Sequence, residues 1–354
     1  MIDLDDLDTL HANDPADMLS RISELPAQVR DAWDAIQAFE PPPAYHEINS
    51  VVVAGMGGSA IGGSLLQALA EPECPVPISV NRDYDLPAYV SDNTLVIASS
   101  YSGNTEETLS ALDEALALGA KPVAVTTNGR LAEIATGQGL PLVQFSYSSP
   151  PRAAVGHSFT LLLGLLFRLG LLEDKTDEIA EAIDVMLRLQ RVIGPQVPAA
   201  RNPAKDLTLR MMGKVPTIYG SGILTPVARR WKGQFNENAK TWAAYDELPE
   251  LNHNTVLGYE HPSHRHDTMF VVMLRSSLEE PRIQTRFEVT AELLEQVGID
   301  HVMIASWGES PTAQMLSALH YGDFVSYYLA ALNAVDPTPN PAIDYLKEKL
   351  GAEP

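Results

Sequence analysis

Val51-Val-Val-Ala-Gly-Met-Gly-Gly-Ser-Ala-Ile-Gly-Gly63 begins as a short β-branched apolar run and passes at once into glycine and serine. The helical pattern Leu65 to Ala70 follows it. The same order recurs at Leu95-Val-Ile-Ala-Ser-Ser-Tyr-Ser-Gly-Asn-Thr-Glu-Glu-Thr108, which leads into Leu109 to Leu118. Strand, small-residue turn and helix start are thus used twice. Such a turn aims free backbone N–H groups, hydroxyls and a helix dipole at one point, which suits an anion.

Outward from these turns, apolar strands alternate with helical patterns: Val51–Ala54, Pro77–Val80, Thr94–Ala98, Pro122–Thr126 and Pro141–Val143. Five short strands with intervening helices predict a parallel, doubly wound sheet, with its ligand at the carboxyl ends of the strands. Residues 15–40 read as helices, with Met18, Leu19, Ile22, Leu25, Val29, Trp33 and Ile36 at helical spacing and Pro41-Pro-Pro43 as the stop. Ser158 to Val192 reads as one or two amphipathic helices, and Gly194-Pro195 with Pro198 and Pro203 as a linker. A second series then begins: strands at Thr217–Tyr219, Thr268–Leu274 and His301–Ala305, and helices at Gln284–Val297 and Ser310–Ala334. The expected division is a helical segment (1–45), a first α/β unit (46–150), connecting helices and linker (151–205), and a second α/β unit with C-terminal helices (206–354).

The 354 residues carry a formal charge of −22, which repels nucleic acid and anionic membranes. An anionic ligand must therefore be captured by local dipoles and a few arginines. The longest uncharged apolar stretch, Ala153 to Phe167, is shorter than a membrane span and reads as a buried helix. The acidic start, Met-Ile-Asp-Leu-Asp-Asp, is unlike a secretory signal and points to the cytoplasm. A single cysteine, Cys74, forms no internal disulfide. His261, His264 and His266 form a His-x-x-His-x-His run that reads as a surface loop, and no metal site is expected.

Gly55, Gly57 and Ala60 also satisfy the dinucleotide pattern G-x-G-x-x-[GA], for which Asp83 would be the late acidic partner. Phosphate binding, nucleotide binding and a tight structural turn all fit this first loop alone. Ser100, Ser102 and Thr105 change the balance. Three hydroxyls around Gly103 exceed what helix capping requires. A dinucleotide does not need this second cluster; a sugar phosphate held between two loops does.

Ser100-Tyr-Ser-Gly-Asn-Thr-Glu-Glu-Thr resembles the phosphosugar signature of the sugar isomerase (SIS) domain. Gly55-Met-Gly-Gly-Ser-Ala, Pro151-Arg152, Trp231-Lys-Gly-Gln-Phe-Asn-Glu-Asn-Ala-Lys240 and Pro249-Glu-Leu-Asn-His-Asn254 are similar to the bifunctional phosphoglucose/phosphomannose isomerase branch. So are Asp336-Pro-Thr-Pro339 and Ile343-Asp-Tyr-Leu-Lys347, so the likeness runs from about residue 45 to the end. It implies an α/β fold of two SIS-type, flavodoxin-like parallel-sheet subdomains after an N-terminal helical segment. It implies interconversion of glucose 6-phosphate or mannose 6-phosphate with fructose 6-phosphate, by proton transfer and without a cofactor.

In that resemblance Gly57, Gly58, Ser59, Ser100, Ser102 and Thr105 hold the phosphate. Glu237 is the base that shuttles the proton through a cis-enediolate, and Arg152 stabilises the developing charge. His253 opens the sugar ring from the neighbouring subunit, so a homodimer with shared sites is expected. Lys347 and Thr338 lie in the matching tail, where a basic residue can touch substrate oxygens. The residues around Glu237 add a reading of their own. One glutamate among Arg229, Arg230, Lys232 and Lys240 suits a solvated helix face, but Phe235, Asn236 and Asn238 suit a partly buried polar pocket, where burial lifts a carboxylate's pKa. A non-catalytic SIS sensor of sugar phosphates and a dinucleotide-dependent oxidoreductase are the alternatives.

Overall fold

The computed structural model describes residues 2–351; Met1 and residues 352–354, at the ends of the first and last expected segments, lie outside the described residues. Helices α1 (Leu7–Ala12), α2 (Met18–Ser23) and α3 (Leu25–Ile36) come first. The first sheet is built from β1 (Ser50–Ala54), β2 (Ile78–Asn81), β3 (Thr94–Ser100), β4 (Lys121–Thr126) and β5 (Leu142–Gln144), with α4 (Gly57–Ala70), α5 (Glu106–Ala117) and α6 (Gly129–Gln138) between them. Helices α7 (Val155–Arg168), α8 (Thr176–Ile193) and α9 (Pro203–Met211) connect to the second sheet. That sheet comprises β6 (Val215–Ser221), β7 (Ala244–Leu248), β8 (Met269–Arg275) and β9 (Asp300–Ala305). Its helices are α10 (Thr225–Glu237), α11 (Arg265–Thr268), α12 (Pro281–Gln296), α13 (Pro311–Leu332) and α14 (Pro341–Gly351).

Both sheets are wholly parallel, ordered β2-β1-β3-β4-β5 and β7-β6-β8-β9. The expected α/β, doubly wound, flavodoxin-like architecture is present, and the second sheet repeats the winding of the first. Parallel strands covered on both faces read as continuous apolar runs rather than alternating ones. Every residue of β1 and β3 is buried, which is why Val51–Ala54 and Leu95–Ala98 were legible as strands.

Helices α4 and α7 of the first half pack together, α10 packs on α13 in the second, and α4 also meets α10 and α13. The two sheets therefore share a helical layer. Residues Val155–Leu166 of α7 are buried on every face, as expected for a buried helix within Ala153 to Phe167 and unlike the amphipathic pattern expected from residue 158 onward. Helix α8 does have one buried face, along Ile179, Ile183, Met186 and Leu189. Three elements differ from expectation. Strand β7 is the polar edge run Ala-Tyr-Asp-Glu-Leu, whose composition carries no strand signal. Helix α9 occupies the expected linker, started by Pro203 with the Asn202 side chain accepting from the amides of Ala204 and Lys205. Helix α1 precedes the expected helical start and is capped by Asp6. Among the described residues no helix is long and apolar enough to cross a membrane.

One close approach positions the second half's first helix. A Cβ at Gly322 of α13 would lie 2.1 Å from Nε1 of Trp231 on α10, and that indole nitrogen donates to the Ala318 carbonyl at 2.9 Å. Trp231 and Phe235 are fully buried, so the angle at which α10 leaves β6 is set by this seat. Gly322→Ala should over-pack it and cost about 1–3 kcal/mol in urea unfolding; unchanged stability would show that α10 tolerates displacement.

Candidate functional site

The carboxyl ends of β1 and β3 meet where the winding of the first sheet reverses, the place where ligands of such sheets bind. Both sequence-flagged loops are there. A Cβ at Gly55 would sit 2.7 Å from the Ser99 carbonyl, so the loops touch only because Gly55 has none. Met56 at the N-cap of α4 offers no side-chain bond to the first amides of the helix, and Ser59 is buried in its first turn. In the other loop the Ser100 and Thr105 hydroxyls are 2.8 Å apart, and Ser100 Oγ accepts from the Gly103 amide at 3.1 Å. Ser102 Oγ accepts from the Asn104 amide at 3.2 Å. Gly103 adopts φ 69°, and a Cβ on it would lie 1.7 Å from the Asn128 carbonyl. No other residue fits.

The third element arrives from outside the sheet. Gly58 lies so close to the Pro151–Arg152 turn that a Cβ would be 2.8 Å from the Pro151 carbonyl. The Arg152 side chain is buried and fully engaged. Its Nε donates to Asn238 Oδ1 at 2.7 Å, and Nη2 donates to the carbonyls of Pro337 at 2.6 Å and Thr338 at 2.9 Å. Nη1 lies 3.6 Å from Glu237 Oε2. Burial pulls the Arg152 pKa down and the Glu237 charge opposes that pull. The glycine loop, Arg152 and Glu237 are thereby one cluster.

Glu237 ends α10, with its carboxylate about 33% exposed. Its setting is a partly buried polar one, as expected: the carboxylate is held by charge and hydrogen bonds, from Arg152 and from Asn340 Nδ2 at 3.2 Å, and is not left on a solvated helix face. Nor does it pair along its own helix. Arg230 turns inward to Asp323 of α13, with Nε and Nη2 3.2–3.3 Å from the carboxylate, and Nη2 also donates to the Arg152 carbonyl at 2.8 Å. Lys240 donates to the Glu237 carbonyl and, at 3.2 Å, to that of Pro337. Asn238 Nδ2 donates to Ser326 Oγ at 3.0 Å, which leaves its carbonyl oxygen facing Arg152.

Two expected site residues stand apart from this cluster. His253 is exposed in the turn Glu250–His253 that follows β7, and Lys347 is exposed on α14, a helix with no buried residue. Thr338 is present through its backbone, while its hydroxyl is buried without a partner. Among the described residues no group of three His, Cys, Asp or Glu side chains is placed to hold a metal, His261, His264 and His266 included.

The sequence reading missed Arg82. It follows β2, where a dinucleotide fold would want an acid, and it donates to the Ala60 carbonyl at 3.2 Å and to Ser64 Oγ at 2.5 Å. Burial, with Arg229 nearby, pushes its pKa down to about 10. Both arginines line a cleft of about 320 Å³ that runs from Gly57 and Gly58 to Glu237. Asp83 itself is exposed. A cation at the end of β2 was readable in Val80-Asn-Arg-Asp83; its direction was not. The arrangement can hold an anion at the loops and work on carbon atoms a few ångströms away with one carboxylate and one fixed guanidinium.

Known proteins resemble this chain in both of its halves. Residues 45–135 match the SIS domain family, and residues 200–350 match the family described as the bacterial phospho-glucose isomerase C-terminal SIS domain. The chain is 44% identical to a bifunctional phosphoglucose/phosphomannose isomerase of Caldicellulosiruptor bescii, covering 94% of this chain and 98% of that one. It is 34% identical to a protein of the same description from Aquifex aeolicus, covering 85% and 90%. A solved glucose-6-phosphate isomerase like protein from Thermus thermophilus shares the fold at 19% identity, with a TM-score of 0.64 over 98% of this chain and 99% of that one.

The buried Arg230–Asp323 pair behind the cluster gives a stability test. Asp323→Ala leaves a buried guanidinium without its carboxylate and should cost about 3–5 kcal/mol in denaturant unfolding. The double variant Arg230→Met, Asp323→Leu should recover most of that loss; equal instability of both would assign the cost to shape and not to charge.

Proposed function

The chain belongs to the bifunctional phosphoglucose/phosphomannose isomerase family, and we propose that it interconverts glucose 6-phosphate and mannose 6-phosphate with fructose 6-phosphate. The observation that carries the mechanism is the Glu237–Arg152 pair, 3.6 Å apart, with the Arg152 backbone against Gly58 of the glycine loop. The phosphate is held by the Gly57, Gly58 and Ser59 end of α4 and by the hydroxyls of Ser100, Ser102 and Thr105. Hydroxyls and helix dipoles do this without a net positive field, as a chain of charge −22 requires.

With the sugar open, Glu237 takes the proton from C2, and the electron pair moves to form a cis-enediolate. Arg152 stabilises the charge on its oxygen. Three hydrogen bonds and an ion pair already fix that guanidinium, so little reorganisation is needed as the charge develops. The hydroxyl proton of O2 passes to O1, and Glu237 returns its proton to C1, which gives the ketose. The enediolate has no stereocentre at C2, so glucose and mannose epimers share it, and the face of C2 turned to Glu237 sets which epimer forms. No step calls on a cofactor.

His253 is the acid and base for ring opening, supplied by a second copy of the chain. Its exposed position away from the cluster supports this, as do Trp242 and Leu257, exposed to 80% and 78%, and helix α14 with no buried residue. These are surfaces that a homodimer would cover. Lys347 on α14 would then reach a site as part of the assembled dimer. A cytoplasmic location fits a substrate whose charge confines it to the compartment where it is made.

A coupled assay with fructose 6-phosphate, reading glucose 6-phosphate and mannose 6-phosphate separately, should show both products; turnover of neither would refute the proposal. Glu237→Gln should lower kcat by about 10²–10⁴-fold and leave phosphate binding nearly intact. Mixing inactive Glu237→Gln and His253→Ala chains after subunit exchange should restore activity, because one composite site is then complete. Exchange without restored activity would place the histidine in its own subunit.

A further inference from the structure

The second sheet has its own reversal of winding, between β6 and β8, at the place that in the first sheet holds the two loops. The local features repeat. Gly222 follows β6 with φ 48°, as Gly57 follows β1 with φ 51°, and each leads into the next helix. Residues 276–280 join β8 to α12, as residues 101–105, equal in number, join β3 to α5. In that alignment Glu279 stands where the first sheet has Asn104.

The Glu279 carboxyl crosses the reversal point. Oε1 accepts from the Ser221 hydroxyl at the end of β6, and Oε2 is buried without a partner. Burial pushes this acid's pKa up, against the hydrogen bonds from Ser221 and the Ser276 backbone. The serine hydroxyls of the loop are drawn away from the reversal point by a side chain of α13: Ser276 Oγ donates to Gln314 Oε1 at 2.6 Å, and Gln314 Nε2 donates to Ser277 Oγ at 2.7 Å. A carboxylate oxygen is a smaller relative of a phosphoryl oxygen, and this one lies between the loops that correspond to the two loops of the first sheet. Burying it half-satisfied is costly, and the loop carries that cost.

We propose that the second sheet contains a latent site for a phosphate monoester, kept closed by the Glu279 carboxylate, so that each chain holds one sugar phosphate and not two. The inference rests on reading the first pair of loops as the phosphate site. Glu279 is the internal anion that stands in for the ligand, bridging the β6 and β8 loops as a phosphoryl group would bridge those of β1 and β3.

Equilibrium dialysis with labelled inorganic phosphate on the full chain tests it. Wild type should bind one phosphate per chain, Glu279→Ser two, and Glu279→Gln, which keeps the bulk in place, one. In a Ser102→Ala, Thr105→Ala background with the first site weakened, Glu279→Ser should still bind one. A folded Glu279→Ser chain that binds only one, or a wild type that binds two, would overturn the proposal. A wild type that binds none would overturn the reading of the first loops instead. If Glu279→Ser does not fold, Glu279→Ala crystals soaked in tungstate decide: the anion should occupy the first loops and also the space between Ser221 and Ser276, and an anion at the first loops alone would overturn the proposal.

Discussion

A buried guanidinium must have every N–H answered, and in this protein that demand falls on Arg152. The partners come from far apart: Asn238 and Glu237 at the end of α10, and the carbonyls of Pro337 and Thr338 after α13. The carbonyl of the same residue takes a hydrogen bond from Arg230, itself locked to Asp323. One side chain from between the sheets thus draws the end of a second-sheet helix and the C-terminal segment onto the glycine loop of the first sheet. Removing any partner would leave a desolvated charge, and so the halves are held in one relation.

That constraint explains how a strongly acidic chain can present a candidate anion site. Arg152 and Arg230 are buried in the helical layer and paired with Glu237 and Asp323, while Arg82 lines the cleft with only a carbonyl and a hydroxyl as partners. Glycines do the rest by letting backbones meet. Gly55, Gly58 and Gly103 each stand where a Cβ would strike a carbonyl oxygen of a neighbouring segment. The two loops and the Arg152 turn are brought together by contacts that have no chemistry of their own.

Strands β1, β3, β4, β6 and β8 were legible because a parallel strand buried on both faces must be apolar at every position. The glycine and serine loops were legible because small residues and clustered hydroxyls follow those strands directly. Strand β7 was not, since an edge strand half in solvent tolerates Tyr, Asp and Glu. Glu237 was singled out, yet its partner Arg152 lies 85 positions away and nothing local pairs them. Arg230 read only as one of the cations around Glu237; it is buried against Asp323, 93 positions away.

By itself the sequence determined the class of fold and the kind of ligand. Periodicity, strand composition and the residues at strand ends are local, and local order follows from backbone sterics and short-range hydrogen bonds. The tertiary structure alone decided which charges are buried, which carboxylate faces which guanidinium, and that Glu279 lies between the corresponding loops of the second sheet. Those outcomes depend on desolvation and on contacts between segments remote in the chain, quantities that exist only once the two sheets and their shared helices have packed.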